Sequence, residues 1–283
     1  MTIVVSQRFP RLARSAANWS TGLNRIGYQT AFYLQTLLNS GDALIRYRGE
    51  TLRHMARMGL GTGALAIIGG AIGIVGFLTL SAGSLIAIQG YNSLSGVGIE
   101  ALTGFLAAYF NGRVIVPTSA VIGLAATIGA GTTAQLGAMR INEEIDALEV
   151  MGIRTISYLA STRVVAGVIV VIPLYCVALV MSFAAAKFAT TTVYGQASGV
   201  YDHYFRTFLN PVDIIYSVIQ AVAMGLVVML IHTYYGFTAA GGPAGVGEAV
   251  GRAVRASLVT VVFVTLLLSL AMYGRTGNFE FAG

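Results

Sequence analysis

The sequence predicts an all-α integral membrane protein, and its composition and its long apolar runs are the observations that predict it. Of its 283 residues, 56% are hydrophobic and only 10% are charged, and the mean hydropathy is +0.76. A soluble domain carries about 25% charged residues. The apolar runs are continuous and longer than the alternating segments of about ten residues found in membrane β-barrels, so the spans are expected to be helices.

Five apolar segments predict about five transmembrane helices, because about 20 apolar residues are needed to cross a bilayer. The expected spans are residues 59–88, 114–139, 164–186, 214–237 and 256–274. We expect residues 1–57 to form a cytoplasmic region, residues 58–274 a membrane domain and residues 275–283 an extracytoplasmic tail.

The cytoplasmic region is predicted to contain an interfacial helix. Ile26, Tyr33, Leu37 and Leu44 recur at roughly helical spacing before the basic segment 46–57, a pattern typical of helices that lie on the inner leaflet. A disordered basic tail is the alternative, although the apolar content is high for disorder.

The distribution of basic residues predicts the orientation. Thirteen arginines fall on the side of the N-terminus, whereas only Arg113, Lys187, Arg206 and Arg275 fall on the other. Basic loops remain in the cytoplasm, so we expect a plasma-membrane protein with its N-terminus inside and its C-terminus outside. The net charge of +6 follows from these loops and does not indicate nucleic-acid binding.

No pattern in the sequence indicates catalysis. The three histidines, His54, His203 and His232, are scattered without metal-ligand spacing, so we predict no catalytic residues, no metal site and no cofactor bound by this chain. His232 lies in a span and is a functional candidate for that reason, but a hydrogen-bonded structural histidine is the favoured interpretation.

The glycine-rich segment 241–247 does not indicate a nucleotide site. It lacks the Lys-Ser/Thr pair of a phosphate-binding loop, and we expect a cytoplasmic turn before a helix that starts near Glu248. The central parts of the spans lack acidic residues, which argues against an ion-coupled carrier and favours a lipid-like substrate.

A polar island at residues 133–153 separates the second and third spans. Four of the eleven acidic residues lie there within seven positions, so the island belongs at a membrane face. In a continuous helix, Ile141, Ile145, Leu148 and Gly152 share one face that can rest on the membrane domain, while the acidic residues stay solvated. Such helices seat transporter subunits in a groove of their ATPase; a solvated acidic loop is the alternative.

The island resembles the signature of a known family. The stretch GAGTTAQLGAMRINEEIDALEVMGI is similar to the TAELGxMRxxEQIDALExM segment of the MlaE/YrbE permeases. Tyr158, Leu159, Arg163 and Ala166-Gly167 are similar to the family's YL…PR…AG run, Gln89-Gly90-Tyr91 to its QGY, and GFTAAGGPAGVGEAVGRAVRASLV to a cytoplasmic segment. The resemblance covers most of residues 45–273.

The resemblance implies a membrane subunit of an ABC transporter that moves lipids. Two permeases would pack together above an ABC ATPase dimer that binds ATP and Mg, beneath MCE-domain proteins outside. The helix after the second span would be the coupling helix, and the residues implied there are Arg140, Glu143, Glu144, Asp146, Leu148 and Glu149. Lipid would be held near the outer ends of the first spans, where we expect Leu85, Ile88, Gln89 and Tyr91 to contribute; ordinary packing is the alternative there.

Several positions depart from the family pattern. Thr162 replaces the proline of the PR pair, the segment 113–117 lacks the family's glutamate, Ala126-Thr127 replaces Gly-Arg, and Gln135 replaces Glu. Such losses resemble one of two divergent permeases, as in the B-type YrbE subunits of actinobacterial Mce transporters. This likeness favours a heterodimer with a paralogous permease over a homodimer, and implies a hexameric MCE assembly and a fatty acid, phospholipid, mycolic acid or sterol as cargo. A non-transporting scaffold for that assembly and a secondary transporter are the alternatives.

Overall fold

A computed structural model describes residue 24 and residues 26–60 and 70–273, and every element in these ranges is helical. In chain order they are α1 (26–38), α2 (Ser40–Ile45), α3 (Arg48–Leu60), α4 (Ala71–Ser95), α5 (Glu100–Ile141), α6 (Glu144–Val150), α7 (Ile156–Val193), α8 (Ser198–Phe208), α9 (Pro211–Phe237) and α10 (Gly242–Tyr273). The predicted tail 275–283 lies outside the described residues.

Five of these helices, α4, α5, α7, α9 and α10, are long and apolar enough to cross a membrane. The predicted fold class and number of spans are therefore confirmed. The short helix α6 lies at one end of the bundle, here called the α6 end, and α8 lies at the opposite end.

The predicted ends of the spans were less accurate. The first span was expected at 59–88, but α4 begins at Ala71 and continues to Ser95, so the Gln89–Tyr91 segment is helical and is not a loop; residues 61–69 lie outside the described residues. The final helix begins at Gly242, six residues before the expected Glu248, because the turn is confined to residues 238–241.

The second and third spans extend beyond the charged residues that were expected to end them. α5 starts thirteen residues before Arg113 and α7 starts seven residues before Arg163. Both side chains are largely buried and hydrogen-bonded within the protein: Arg113 to Asp213 and Arg163, by its Nη1, to the Leu159 carbonyl oxygen at 2.9 Å. A charge ends a span only when it must reach water, and these two do not.

The core lies between α4, α5, α7 and α9, where apolar side chains such as Val121, Leu124, Leu174 and Met224 are fully buried. Two π-helical stretches, Ala107–Ile115 and Ala125–Gly129, interrupt α5 on its way through this core. Such stretches widen a helix locally and are frequent at functional sites. By contrast, α10 is the least buried of the five spans, and its Val262, Phe263 and Leu266 point outward.

The region before the first span is helical within residues 26–60, as predicted, and packs on the α6 end of α7. Ser161 Oγ donates to the Thr36 carbonyl oxygen at 2.8 Å, and the rings of Tyr47 and Tyr158 meet edge-on with centroids 5.2 Å apart. The apolar residues Ile26, Leu37 and Leu44 remain exposed, as expected for a helix that rests on a membrane.

α4 and α7 cross closely because a glycine lies at their contact. A methyl group at Gly83 would overlap the backbone carbonyl of Ser182, whereas a methyl group at Gly76, two turns earlier on α4, would make ordinary contacts at 3.7 Å or more with Met181. Small residues let helices approach in this way in membranes.

We expect Gly83→Ala to lower the free energy of unfolding by about 1–3 kcal/mol, the usual cost of overpacking a close contact. Gly76→Ala is the matched control on the same helix and against the same partner, and we expect it to be neutral or slightly stabilising because alanine favours helix. Thermal unfolding of the detergent-purified variants measures both. Equal stability of the two variants would contradict the close crossing.

Candidate functional site

The segment that follows α5 contains a sharp break. α5 ends at Ile141, and Glu143 adopts a left-handed conformation with φ 59° before α6 begins at Glu144. A left-handed residue cannot continue a right-handed helix, so the predicted single helix over 141–152 was wrong. Gly152, with φ +76°, lies beyond the end of α6 and is exposed rather than buried on the predicted face.

α6 is attached to the bundle by its apolar side. Ile145 is fully buried and packs with Leu136 of α5 and Leu159 of α7, while Leu148 lies half-buried against the same cluster. The predicted contact of Ile145 and Leu148 with the membrane domain is therefore present. Ile145 therefore places α6 in one apolar cluster with α5 and α7.

The four acidic residues of the segment are all exposed, but they differ in their partners. Arg140 Nη1 lies 2.5 Å from Asp146 Oδ1, and Thr155 Oγ1 donates to Glu149 Oε1 at 2.8 Å. Within the described part of the chain, no basic side chain lies within 4.0 Å of the Glu143 or Glu144 carboxylate. Asp146 and Glu149 thus hold α6 in place through contacts with neighbouring residues of the chain. The carboxylates of Glu143 and Glu144 are exposed at the surface.

A second ion pair joins this segment to the N-terminal helices. Arg154, which follows α6, has its Nη2 2.9 Å from Asp42 Oδ2 in α2. The sequence analysis missed Asp42, because it lies more than a hundred residues from its partner and belongs to no motif. α6 is therefore connected to α2 as well as to α5 and α7.

A buried basic cluster lies beneath α3. Arg163 is only 5% exposed, and His54 is buried with its Nε2 3.5 Å from Glu50 Oε1. Burial, followed by the positive charges of Arg163, Arg57 and Arg53, lowers the pKa of His54 to about 4. His54 is consequently neutral at neutral pH.

His232 joins three spans. Its Nδ1 lies 2.8 Å from Thr133 Oγ1 of α5, and its Nε2 lies 3.3 Å from Ser257 Oγ of α10. The ring packs so closely on Gly129 that a methyl group there would lie 2.6 Å from the imidazole. Both ring nitrogens have partners and the side chain is fully buried, which supports the structural interpretation of this histidine.

The residues predicted to hold lipid lie near the opposite end of α4 but do not share one face. Leu85 is 60% exposed and Gln89 is also exposed, whereas Ile88 is partly buried against Ala87 and its neighbours. Tyr91 is turned aside and stacks on Tyr194, the residue that follows α7, with the ring centroids 4.2 Å apart. Leu85 and Gln89, one turn apart, are therefore the accessible members of this set on α4. Tyr91 instead packs against Tyr194 near the end of α4.

The sequence analysis also missed the strongest polar contact at this end. Arg113 Nη2 lies 2.7 Å from Asp213 Oδ2, both side chains are mostly buried, and the guanidinium group lies over the rings of Tyr109 and Tyr273 at 4.0 and 4.8 Å. This cluster joins α5 to the first turn of α9 and to the last residue of α10. Since its members are up to 164 residues apart in sequence, no local pattern indicates it.

Comparison with known proteins places these features in context. Residues 61–271 match the family model described as Permease MlaE. The "Probable ABC transporter permease protein slr1045" of Synechocystis is 26% identical over 232 residues, covering 82% of this chain and 84% of that protein. A "Probable ABC transporter permease protein" of Rickettsia bellii is 26% identical over 196 residues, covering 69% and 76%.

A plant protein is also similar. "Protein TRIGALACTOSYLDIACYLGLYCEROL 1, chloroplastic" of Arabidopsis thaliana is 26% identical over 208 residues. The matched region covers 74% of this chain but only 59% of the length of the plant protein.

The lowered pKa of His54 predicts a pH dependence of stability. Between about pH 6.5 and pH 4 the unfolded chain takes up a proton at this position and the folded chain does not, so stability present above pH 6.5 is lost as the pH falls toward 4. His54→Gln is expected to remove this component, so that its thermal unfolding temperature falls less between pH 7.5 and pH 5 than that of the wild type.

His203→Gln provides the control, because His203 is exposed on α8 and its replacement is expected to leave the pH dependence unchanged. An H54Q profile identical to that of the wild type would show that His54 titrates normally and would overturn this account of the basic cluster.

Proposed function

This chain belongs to the MlaE permease family, and from that premise we propose that it is the transmembrane subunit of an ATP-driven transporter that moves lipids across the cell envelope. The observation that supports this function most directly is the segment of α6, a short helix whose Glu144 and the preceding Glu143 form no ion pair with any described residue, at one end of a five-span bundle into which its apolar side packs. The chain itself would be non-catalytic, with ATP and Mg bound by a separate ATPase subunit.

In this proposal α6 is the coupling helix. Glu143 and Glu144 meet basic groups on the ATPase, since neither forms an ion pair within the part of the chain that the structure describes, and complementary charges favour a specific docking orientation. Arg140 and Asp146 hold each other across the break at the end of α5, and Thr155 holds Glu149. These four residues position the helix, and Leu148 helps to anchor it.

Movement of the ATPase would reach the spans through a short path. When the ATPase dimer closes, α6 moves with it, and Ile145 transmits the displacement to Leu136 of α5 and Leu159 of α7. The ion pair of Arg154 with Asp42 carries α2 along. The helices that surround the cavity between two permeases would then shift together.

The lipid would occupy that cavity at the outer ends of the first spans. Leu85 and Gln89 are the residues of α4 that are accessible to it, Ile88 contributes a partly buried wall, and Tyr91 acts by stacking on Tyr194. The absence of acidic residues from the middle of the spans suits a hydrophobic cargo. A fatty acid, phospholipid, mycolic acid or sterol would fit such a surface.

We further propose the assembly in which it works. The chain pairs with a paralogous permease, because positions that are charged in the family pattern are here Thr127 and Gln135; an ABC ATPase dimer binds at the α6 end, and hexameric MCE-domain proteins bind at the opposite end. The α6 end faces the cytoplasm and the C-terminus lies outside the plasma membrane, in accord with the excess of arginine at the α6 end.

The double variant Glu143→Lys/Glu144→Lys tests the coupling role. Like-charge contacts at an interface cost several kcal/mol, so we expect the ATPase to lose its response to the permease by more than about tenfold while the permease remains folded. Turnover of the purified complex in nanodiscs measures the response, and thermal unfolding of the isolated chain verifies the fold.

Glu100→Lys is the matched control at the opposite end, where the hydrogen bond from Gln196 goes to the backbone oxygen of Glu100 and survives the substitution. Normal ATPase response and transport in the double reversal would exclude α6 as the coupling element. An ATPase that binds the chain but never responds to it, even in the wild type, would favour the scaffold alternative.

A photoreactive amino acid at Leu85 tests the lipid surface. We expect it to form lipid adducts whose yield changes when vanadate traps the ATPase, because the cavity closes. The same probe at Val180, which is 65% exposed on α7, is expected to give bulk-lipid adducts that vanadate does not change. A response to vanadate at neither position would exclude a role for this surface.

A further inference from the structure

The α6 end of the protein contains a large cavity that the proposed transport function does not use. It lies between α1, the end of α9 and the ends of α5 and α7 that meet at α6, and its volume is about 900 Å³. Pockets that bind small molecules measure about 300–1,000 Å³, so the cavity is large enough for a lipid chain.

Four aromatic side chains contribute to its wall. Phe32 of α1 packs against Tyr234 and Phe237 of α9, with ring centroids 5.6 and 5.4 Å apart, and Tyr28 extends the wall toward the surface. These packed rings together give the cavity an apolar wall contributed by two helices. An acyl chain is the kind of group that such a wall accommodates.

The cavity has one charged group at its edge. Among the described residues that line it, Arg140 is the single charged side chain, and Gln35 is the nearest polar companion on α1. A guanidinium group has five N–H donors, and Asp146 engages only Nη1. The remaining donors are available to a second acceptor, and a phosphate or carboxylate oxygen is the acceptor that suits arginine best.

The position of the cavity relates it to the membrane. The span α9 ends at Phe237, within the cavity wall, and the outer side of α1 is apolar and exposed, with Tyr28 at 76% and Leu38 at 82%. An amphipathic helix with such a face lies in the headgroup region. With the orientation proposed above, this is the cytoplasmic leaflet, which carries the anionic lipids.

We infer that this cavity binds an anionic lipid of the cytoplasmic leaflet, with an acyl chain against the aromatic residues of its wall and the headgroup on Arg140. The site is at the opposite end of the bundle from Leu85 and Gln89, so its lipid is distinct from the cargo. The guanidinium group of Arg140 also pairs with Asp146 of α6. The bound headgroup would therefore contact the same arginine that positions α6.

Native mass spectrometry of the full-length protein, released from nanodiscs of equal phosphatidylglycerol and phosphatidylcholine, tests the inference. Ala31 lines the cavity, and Ala31→Trp is expected to remove one retained phosphatidylglycerol per chain. Leu34→Trp places the same side chain on the exposed side of α1 and is expected to retain it.

Arg140→Gln is expected to reduce the preference for phosphatidylglycerol over phosphatidylcholine by about tenfold, the effect of losing one charged hydrogen bond. Equal retention of phosphatidylglycerol by A31W and L34W would overturn the inference. So would a photoprobe at Tyr28 that forms adducts with protein alone, since another segment of the chain or a partner would then fill the cavity. These outcomes do not depend on ATPase activity, so they are independent of the test of coupling.

Discussion

Hydrocarbon solvates neither charges nor unpaired hydrogen-bond donors, so a polar side chain within the bundle needs a partner inside the protein, either on its own helix, as Arg163 has, or on another helix. That constraint determines which spans are neighbours at each level. Arg113 and Asp213 hold α5 to α9 at one end, and Lys187 holds α7 to α8 through Asp202 at 2.8 Å. Thr133, His232 and Ser257 hold α5, α9 and α10 together nearer the α6 end. Apolar packing fills the volume between these contacts but would not by itself select this arrangement, because lipid tails are as apolar as leucine.

The segment around α6 obeys the opposite rule, because it lies where water is available and can keep charges unpaired. Its four carboxylates are divided by geometry: two are held by neighbours within the chain, and two are presented outward. The division depends on the left-handed backbone conformation of Glu143, which separates α6 from α5. For a residue other than glycine, this conformation costs of order 1 kcal/mol or more of folding free energy. A continuous helix would have carried the acidic residues around its axis.

The fold class and the number of spans followed from composition and apolar run length, because those features average over many residues. The ends of α5 and α7 did not, since the charges of Arg113 and Arg163 resemble loop signals until their buried partners are known. The break at Glu143 was missed for a different reason. The helical spacing of apolar residues is continuous over residues 141–152, and a change in one backbone torsion does not alter that spacing. The ion pair of Arg154 with Asp42 joins residues that are 112 positions apart. A single sequence does not indicate which residues so far apart are in contact.

The low burial of α10 has a consequence for how this chain tolerates change. Its Val262, Phe263, Leu266 and Leu270 touch little of their own subunit, so the fold of the monomer requires only that they be apolar. Substitution among valine, leucine, isoleucine and phenylalanine on that face is free of constraint from the part of the chain that the structure describes. If the paralogous permease proposed above covers this face, the pattern of residues accepted along α10 records the shape of that neighbour.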